Sequence, residues 1–221
     1  MTAQLHFADA GEAADLAAFL ARLIHYDKAA AVRLQAAGET LAVFGRPPSF
    51  EVLAIRTARL AKPYEYGLDT SLDVTVSAGE LLESVDPAGS ASVPQAVTGP
   101  PWAGVLPPRG GWQPEAGLPG MDAVRGLVAA AVAEFKARVA ELPAERRVRA
   151  ELDQLGREIW SRSIGDTGLP VRAAHAAQAL GFLRGDSLDL LSSGAWLRLR
   201  TPYGSVAVRR AGVGGLSVSP V

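Results

Sequence analysis

The chain has no cysteine and no asparagine, and only 3 histidines and 3 lysines among its 221 residues. Without cysteine there is no disulfide framework, no thiolate nucleophile and no thiolate-bound metal. The histidines, His6, His25 and His175, are too far apart for two of them to share an element at ligand spacing, so neither a metal site nor a cofactor is expected. Long apolar runs are missing too. The longest, Leu127 to Ala133, is seven residues, against the roughly 18 that a membrane span requires. No basic segment precedes an apolar run near the first residues, so no secretory signal is read and a cytoplasmic location is expected. The Gly-rich phosphate loop, the dinucleotide-binding glycine fingerprint, the nucleophile elbow and the HExxH zinc motif are all absent from the sequence. The balance leans away from an enzyme, although a site assembled from distant carboxylates such as Asp27, Asp69 and Asp73 stays open.

What is present describes a globular chain: 48% hydrophobic, 20% charged, net charge −1. Alanine supplies 40 of the hydrophobic residues, and the other 67 still suffice for real cores. Arginine accounts for 19 of the 22 basic residues, a codon-bias pattern of high-GC genomes that weakens any argument from arginine content to phosphate binding. The distribution of charge carries more information. Residues 1–92 hold 7 basic and 12 acidic side chains, residues 93–119 one of each, and residues 120–221 hold 14 basic and 10 acidic.

These shifts divide the chain into an acidic unit (1–92), a Pro/Gly-rich connector (93–119), a helical unit (120–210) and a loose tail (211–221). In the acidic unit, Gln4 to Ala8 reads as a strand. Asp9 then caps a helix, with Glu12 at capping-box spacing and Leu16, Phe19, Leu20, Leu23 and Ile24 on one stripe. A hairpin follows around Ala37-Gly38, then strands at Phe50 to Leu60 and Leu72 to Val76, and a helical turn at Ser77 to Val85. The connector contains PPWAGVLPPRGGWQP, whose prolines exclude helix interior and central strand. Its Trp102 and Trp112 imply an extended path packed against a domain rather than a free linker. The helical unit reads as a long amphipathic helix from Met121 to Leu142, a second opened by Pro143, a third from Pro170 to Leu180, and strands at 187–191, 195–200 and 205–210. The expected fold is therefore α+β: an N-terminal antiparallel sheet with one covering helix, then a three-helix unit ending in a small β-hairpin, winged-helix-like in order.

Two functional patterns stand out. Trp102, Arg109 and Trp112 combine the residue types that dominate interface hot spots, and are candidates for contacting a protein partner. If the C-terminal unit were a winged helix, Arg172 and Gln178 would face bases from the third helix, and Arg198 and Arg200 would face phosphates from the hairpin. The third helix is rich in alanine, which favours close packing over base readout, so protein contact ranks above DNA.

The order of the acidic unit, a β-α-β-β-β run closed by LDVTVSAGELLESV (Leu72 to Val85), is loosely similar over most of that unit to one repeat of the DNA sliding clamps, where a strand leads into a short helix with a leucine pair like Leu81-Leu82. It departs from them in being a single copy with an acidic face. More specifically, LPPRGGW (Leu106 to Trp112), LPVRAAHAAQALGFL (Leu169 to Leu183) and GAWLRLRTPYGSVAVRR (Gly194 to Arg210) resemble a family of uncharacterised proteins from high-GC actinobacteria. That resemblance implies no particular activity. The sequence thus points to a non-enzymatic interaction or assembly factor that binds a protein partner or itself, a homodimer through the helices at 121–142 and 144–162 being one form. A DNA-associated regulator is the alternative, and an enzyme with an unfamiliar carboxylate site the third reading.

Overall fold

The computed structural model describes residues 3–61 and 72–210. Asp69 and the tail expected at 211–221 lie outside the described residues. After β1 (Gln4–His6), Asp9 stops the extended chain by accepting a hydrogen bond from the Glu12 N–H at 3.0 Å. Helix α1 (Ala10–Tyr26) follows and buries Leu16, Phe19, Leu20 and Leu23 completely or nearly so. Each of these side chains is worth about 2 kcal/mol by area, an upper bound because the unfolded chain is partly compact. The return half of the expected capping box is not made. The Glu12 carboxylate turns instead to Arg56 and Arg59, a charge-assisted contact stronger than a bond to one backbone N–H.

Three strands then form a meander, β2 (Ala31–Ala37), β3 (Thr40–Gly45) and β4 (Leu53–Arg59), and β5 (Asp73–Ser77) pairs on the far side of β2. Ser77 caps α2 (Ala78–Ser84), which packs on α1. β6 (Val85–Asp86) and β7 (Ser90–Ser92) make a small separate sheet with β1.

In the second half, β8 (Gln113–Pro114) precedes α3 (Met121–Glu141), α4 (Arg149–Trp160) and α5 (Val171–Ala179). A second meander follows, β9 (Asp189–Ser193), β10 (Trp196–Thr201) and β11 (Gly204–Arg209). The helix expected directly after Pro143 begins instead at Arg149. Pro143 leads only a short 3-10 turn at Ala144–Arg146, and Val148 is the cap of α4. Helices α3 and α4 are tied by two bidentate arginine–carboxylate pairs, Arg138 with Glu158 and Arg162 with Glu134. Each pair holds its glutamate below the usual carboxylate range. The α3 stripe Met121, Val124, Val128 and Ala131 is buried within the chain, in a helix that packs on α5.

The terminal hairpin is not a free wing. β11 pairs with β4 through Ser205–Ile55, Val206–Ala54 and Ala207–Leu53, so the two meanders fuse into one eight-stranded antiparallel sheet, β5-β2-β3-β4-β11-β10-β9-β8. In each half a helix leads into a three-stranded meander, α1 into β2-β3-β4 and α5 into β9-β10-β11, and each meander contributes its last strand to the centre. α1 lies on β4 and α5 on β11. One core of Leu, Val, Ala and Phe fills the space between this sheet face and the helices. Arg56 points into that layer and pairs with Asp15 at 3.0 Å and Glu12 at 3.4 Å.

Two glycines set the junction of the layers. Gly181, at φ +74°, ends α5 as its own N–H bonds Gln178 O and the Phe182 N–H bonds Ala177 O, the Schellman arrangement. Phe182 is thereby delivered onto Phe19, ring centroids 5.7 Å apart. Gly204, at φ +151°, passes so close above that ring that a Cβ there would sit 2.5 Å from it.

Candidate functional site

The other face of the sheet is crossed by the connector. Its prolines lack N–H donors, so the segment can pass over strands without leaving buried donors unpaired. It begins at the β5 edge, where the Val97 N–H bonds Thr75 O at 2.9 Å. A 3-10 turn at Pro101–Gly104 then brings Trp102 down, and Arg33 donates to Ala103 O from the sheet below. Arg33 also holds both oxygens of Asp73, at 2.7 and 2.9 Å, which keeps the Asp73 carboxyl below its ordinary range. Trp102 and Leu106 pack on Phe44, Leu53, Ile55 and Ala207, a small second core. At the far side the Trp112 indole N–H bonds Pro108 O, the Ser193 hydroxyl donates to Gly110 O, and Gln113 and Pro114 join the sheet beside β9. The connector is a strap, anchored near both edges and stacked on the centre.

The strap leaves a cleft along each flank. The larger, about 460 Å³, has Trp102 and Trp196 in its walls and Leu53 and Ala207 in its floor, with Arg46, Arg172 and Arg209 around it and Glu51 as the one carboxylate. Arg209 lies over the Trp196 ring, 5.6 Å from its centroid. The Arg172 Nε is buried with no hydrogen bond and stands 3.9 Å from the Glu51 carboxylate. Glu51 belongs to the β3–β4 loop, where it and Ser49 both adopt left-handed backbone, φ +52° and +70°. Such conformations cost roughly 1–3 kcal/mol each in residues other than glycine and gather at ligand clamps.

The smaller cleft, about 220 Å³, lies on the opposite flank, over Ala42, Phe44 and Ile55, between Arg109 on the strap and Arg198 on β10. Arg198 donates through Nε to Ser205 Oγ at 2.8 Å and lies near Trp112, 5.6 Å from its ring centroid. Burial, and then the neighbouring Arg200 charge, make its guanidinium easier to deprotonate than a free one. Among the described residues, Arg46, Arg109, Arg198 and Arg209 form no ion pair with a carboxylate, whereas Arg33 and Arg200 on the same face are held by Asp73 and Asp189.

The residues expected from the sequence thus divide. Trp102 and Arg172 meet in the larger cleft, Arg109 and Arg198 in the smaller, and Trp112 stacks beside Arg198. Gln178 is exposed at the end of α5, and Arg200 is paired with Asp189. The helix offered as a DNA reader has Val171, Ala173, Ala174, Ala176 and Ala177 buried. His175 is half-buried between Trp160 and Phe50, with ring centroids at 4.5 and 5.2 Å. Of the distant carboxylates, Asp27 accepts the Ala29 N–H and Asp73 is taken by Arg33 and Gln35. Sequence reasoning missed Trp196, Arg46 and Glu51. The alternation Trp196-Leu197-Arg198-Leu199-Arg200 was a signal for the first, because it sets Trp196 and Arg198 on one face.

Among the described residues no group of three or more His, Asp or Glu is arranged to hold a metal ion, and no helix is long and apolar enough to cross a membrane. Residues 1–104 match a family model described as a domain of unknown function (DUF8010), and residues 107–213 match another domain of unknown function (DUF8185). The first match ends and the second begins inside the strap. No curated protein matches the chain.

Proposed function

We propose that the chain, a pairing of two domains of unknown function, is a non-enzymatic interaction protein that grips an acidic segment of a partner protein in the larger cleft beside the strap. The observation that carries this reading is the make-up of that cleft: two tryptophan walls and three arginines against a single glutamate. Tryptophan and arginine are the side chains that supply most interface energy. Arg46 and Arg209 are exposed and have no ion-pair partner among the described residues, and the buried Arg172 Nε makes no hydrogen bond, so the carboxylates of an acidic partner would meet unoccupied guanidiniums. A leucine or phenylalanine of the segment would lie on Trp102 and Trp196, and its carboxylates would meet Arg46, Arg172 and Arg209. The DNA-associated alternative rests on Arg172, Gln178, Arg198 and Arg200; the first of these faces the cleft and the last is occupied by Asp189, which weighs against a common DNA-facing row.

Fluorescence anisotropy tests the two together. One probe is a labelled acidic peptide with a phenylalanine and a leucine among aspartates and glutamates, the other a labelled random-sequence DNA duplex, each at low and at physiological salt. The expected result is saturable, salt-sensitive peptide binding that Trp102→Ala and Arg46→Ala each weaken about tenfold or more, the loss of one hot-spot contact. DNA binding lost on changing Arg172, Arg198 and Arg200 to Ala, with no peptide binding, would establish the regulator reading instead. Binding of neither probe would overturn the proposal.

A further inference from the structure

Where the larger cleft suits a peptide segment, the smaller one on the other flank of the strap has the features of a separate site. Its floor is Ala42, Phe44 and Ile55, and Arg109 and Arg198 stand at it from two different layers, strap and sheet. Arg198 uses Nε on Ser205, which leaves both terminal nitrogens without a protein acceptor among the described residues. Arg109 makes no hydrogen bond or ion pair there either among the described residues, and the carboxylate its charge reaches, Asp73, is already neutralised by Arg33. Two guanidiniums beside an apolar floor, with no carboxylate of their own, leave one kind of group unsupplied.

We infer that this pocket is a binding site for a small organic carboxylate, a monoacid with a short apolar or aromatic body. The carboxylate would sit between Arg109 and Arg198, and planar guanidinium forks match it two bonds at a time. The body would lie on Phe44 and Ile55 beneath Pro107 and Pro108. A cleft of about 220 Å³ is less than half the size of the larger one and suits a compact acid. An inorganic anion would satisfy the charges and leave the apolar floor empty, so the chemistry favours an acid with a hydrocarbon part. Arg198 is also the more basic when a carboxylate is present, because the anion opposes the burial that now makes it easier to deprotonate. The strap supplies one arginine and the sheet the other, so an occupied pocket would also fasten the strap down.

Isothermal titration calorimetry with phenylacetate and with hexanoate tests this, against the matching amides and against sulfate at equal ionic strength. The expected result is binding of both acids tighter than about 1 mM, with no binding of the amides and none of sulfate. Arg109→Ala, an exposed strap substitution that leaves the core untouched, should weaken the acids at least tenfold. Arg198→Lys, which keeps the charge and stem but loses the fork, should do the same, and Arg200→Ala should not. Equal binding of sulfate and the acids, unchanged affinity in Arg109→Ala and Arg198→Lys, or no binding of either acid would each overturn the inference. The pocket shares neither its floor nor its arginines with the larger cleft, so this outcome is independent of peptide binding.

Discussion

Gly204→Ala should be among the most damaging single-methyl additions in the protein. The new Cβ would lie 2.5–2.7 Å from three carbons of the Phe182 ring. That ring cannot swing aside as the end of a flexible chain would, because it is 2% exposed and stacks on Phe19. Forcing an extra carbon into a packed core costs about 1–3 kcal/mol. The backbone adds about 1–3 kcal/mol more, since φ +151° is a conformation that side chains disfavour. The sum, about 4 kcal/mol, should lower Tm by roughly 8–15 °C for a chain of this length. Gly38→Ala is the control. Its φ is +56° and nothing lies within 4 Å of the added carbon, so only the backbone cost of about 1–2 kcal/mol applies. Thermal and urea unfolding of both variants give the comparison. In a Phe182→Ala background the ring clash disappears, and adding Gly204→Ala should then cost only the backbone part, a non-additivity expected for residues in contact. Equal losses for Gly204→Ala and Gly38→Ala, or full additivity with Phe182→Ala, would refute the reasoning.

Two further outcomes follow from the same structure. Arg33→Ala removes the donor to Ala103 O and the Asp73 pair. Because that pair is partly exposed the global loss should be modest, about 1 kcal/mol, but amide exchange over residues 97–112 should quicken while the α1 and β4 amides stay protected. Unchanged exchange in the strap would contradict its anchoring by Arg33. His175 is held below its ordinary pKa by burial, so the fold favours its neutral form. Its contribution is complete above the unfolded value of about 6.5 and is lost as pH falls from there through the lower folded value. Urea midpoints should decline across that window and stay flat in His175→Phe, apart from losses at lower pH as Asp73, Glu115, Glu134 and Glu158 protonate. A wild-type midpoint no more sensitive than that of His175→Phe would exclude this role.

Much of the local structure was legible because local chemistry decides it. Asp9 caps α1, Ser77 caps α2, and Gly38 and Gly194 sit at positive φ in the turns between strands. The strap's extended, packed path followed from its prolines and tryptophans. What could not be read was the pairing of β4 with β11, some 150 residues apart, since nothing in either strand's alternation names its partner. That pairing turns a presumed wing into the centre of a sheet, and it brings Trp196 and Arg209 opposite Leu53 and Trp102. The alternation of β10 sets Trp196 and Arg198 on the face that the strap covers, which no local pattern announces. Arg109 and Arg198 were each singled out, but for different partners, because only the closed sheet sets them across one pocket. The charge difference between the two halves does not keep them apart: in the fold Glu12, Asp15 and Glu51 meet arginines of both halves.

The most direct test of the strapped face uses the four tryptophans. Trp102, Trp112 and Trp196 lie on that face, and Trp160 is on the helical side against Phe135 and His175. Their four indole N–H signals can be followed by nitrogen-resolved NMR while the acidic peptide is titrated. Binding in the larger cleft predicts progressive shifts of the Trp102 and Trp196 signals with Trp160 unmoved. A moving Trp160 with Trp102 and Trp196 fixed, or four static signals, would contradict it.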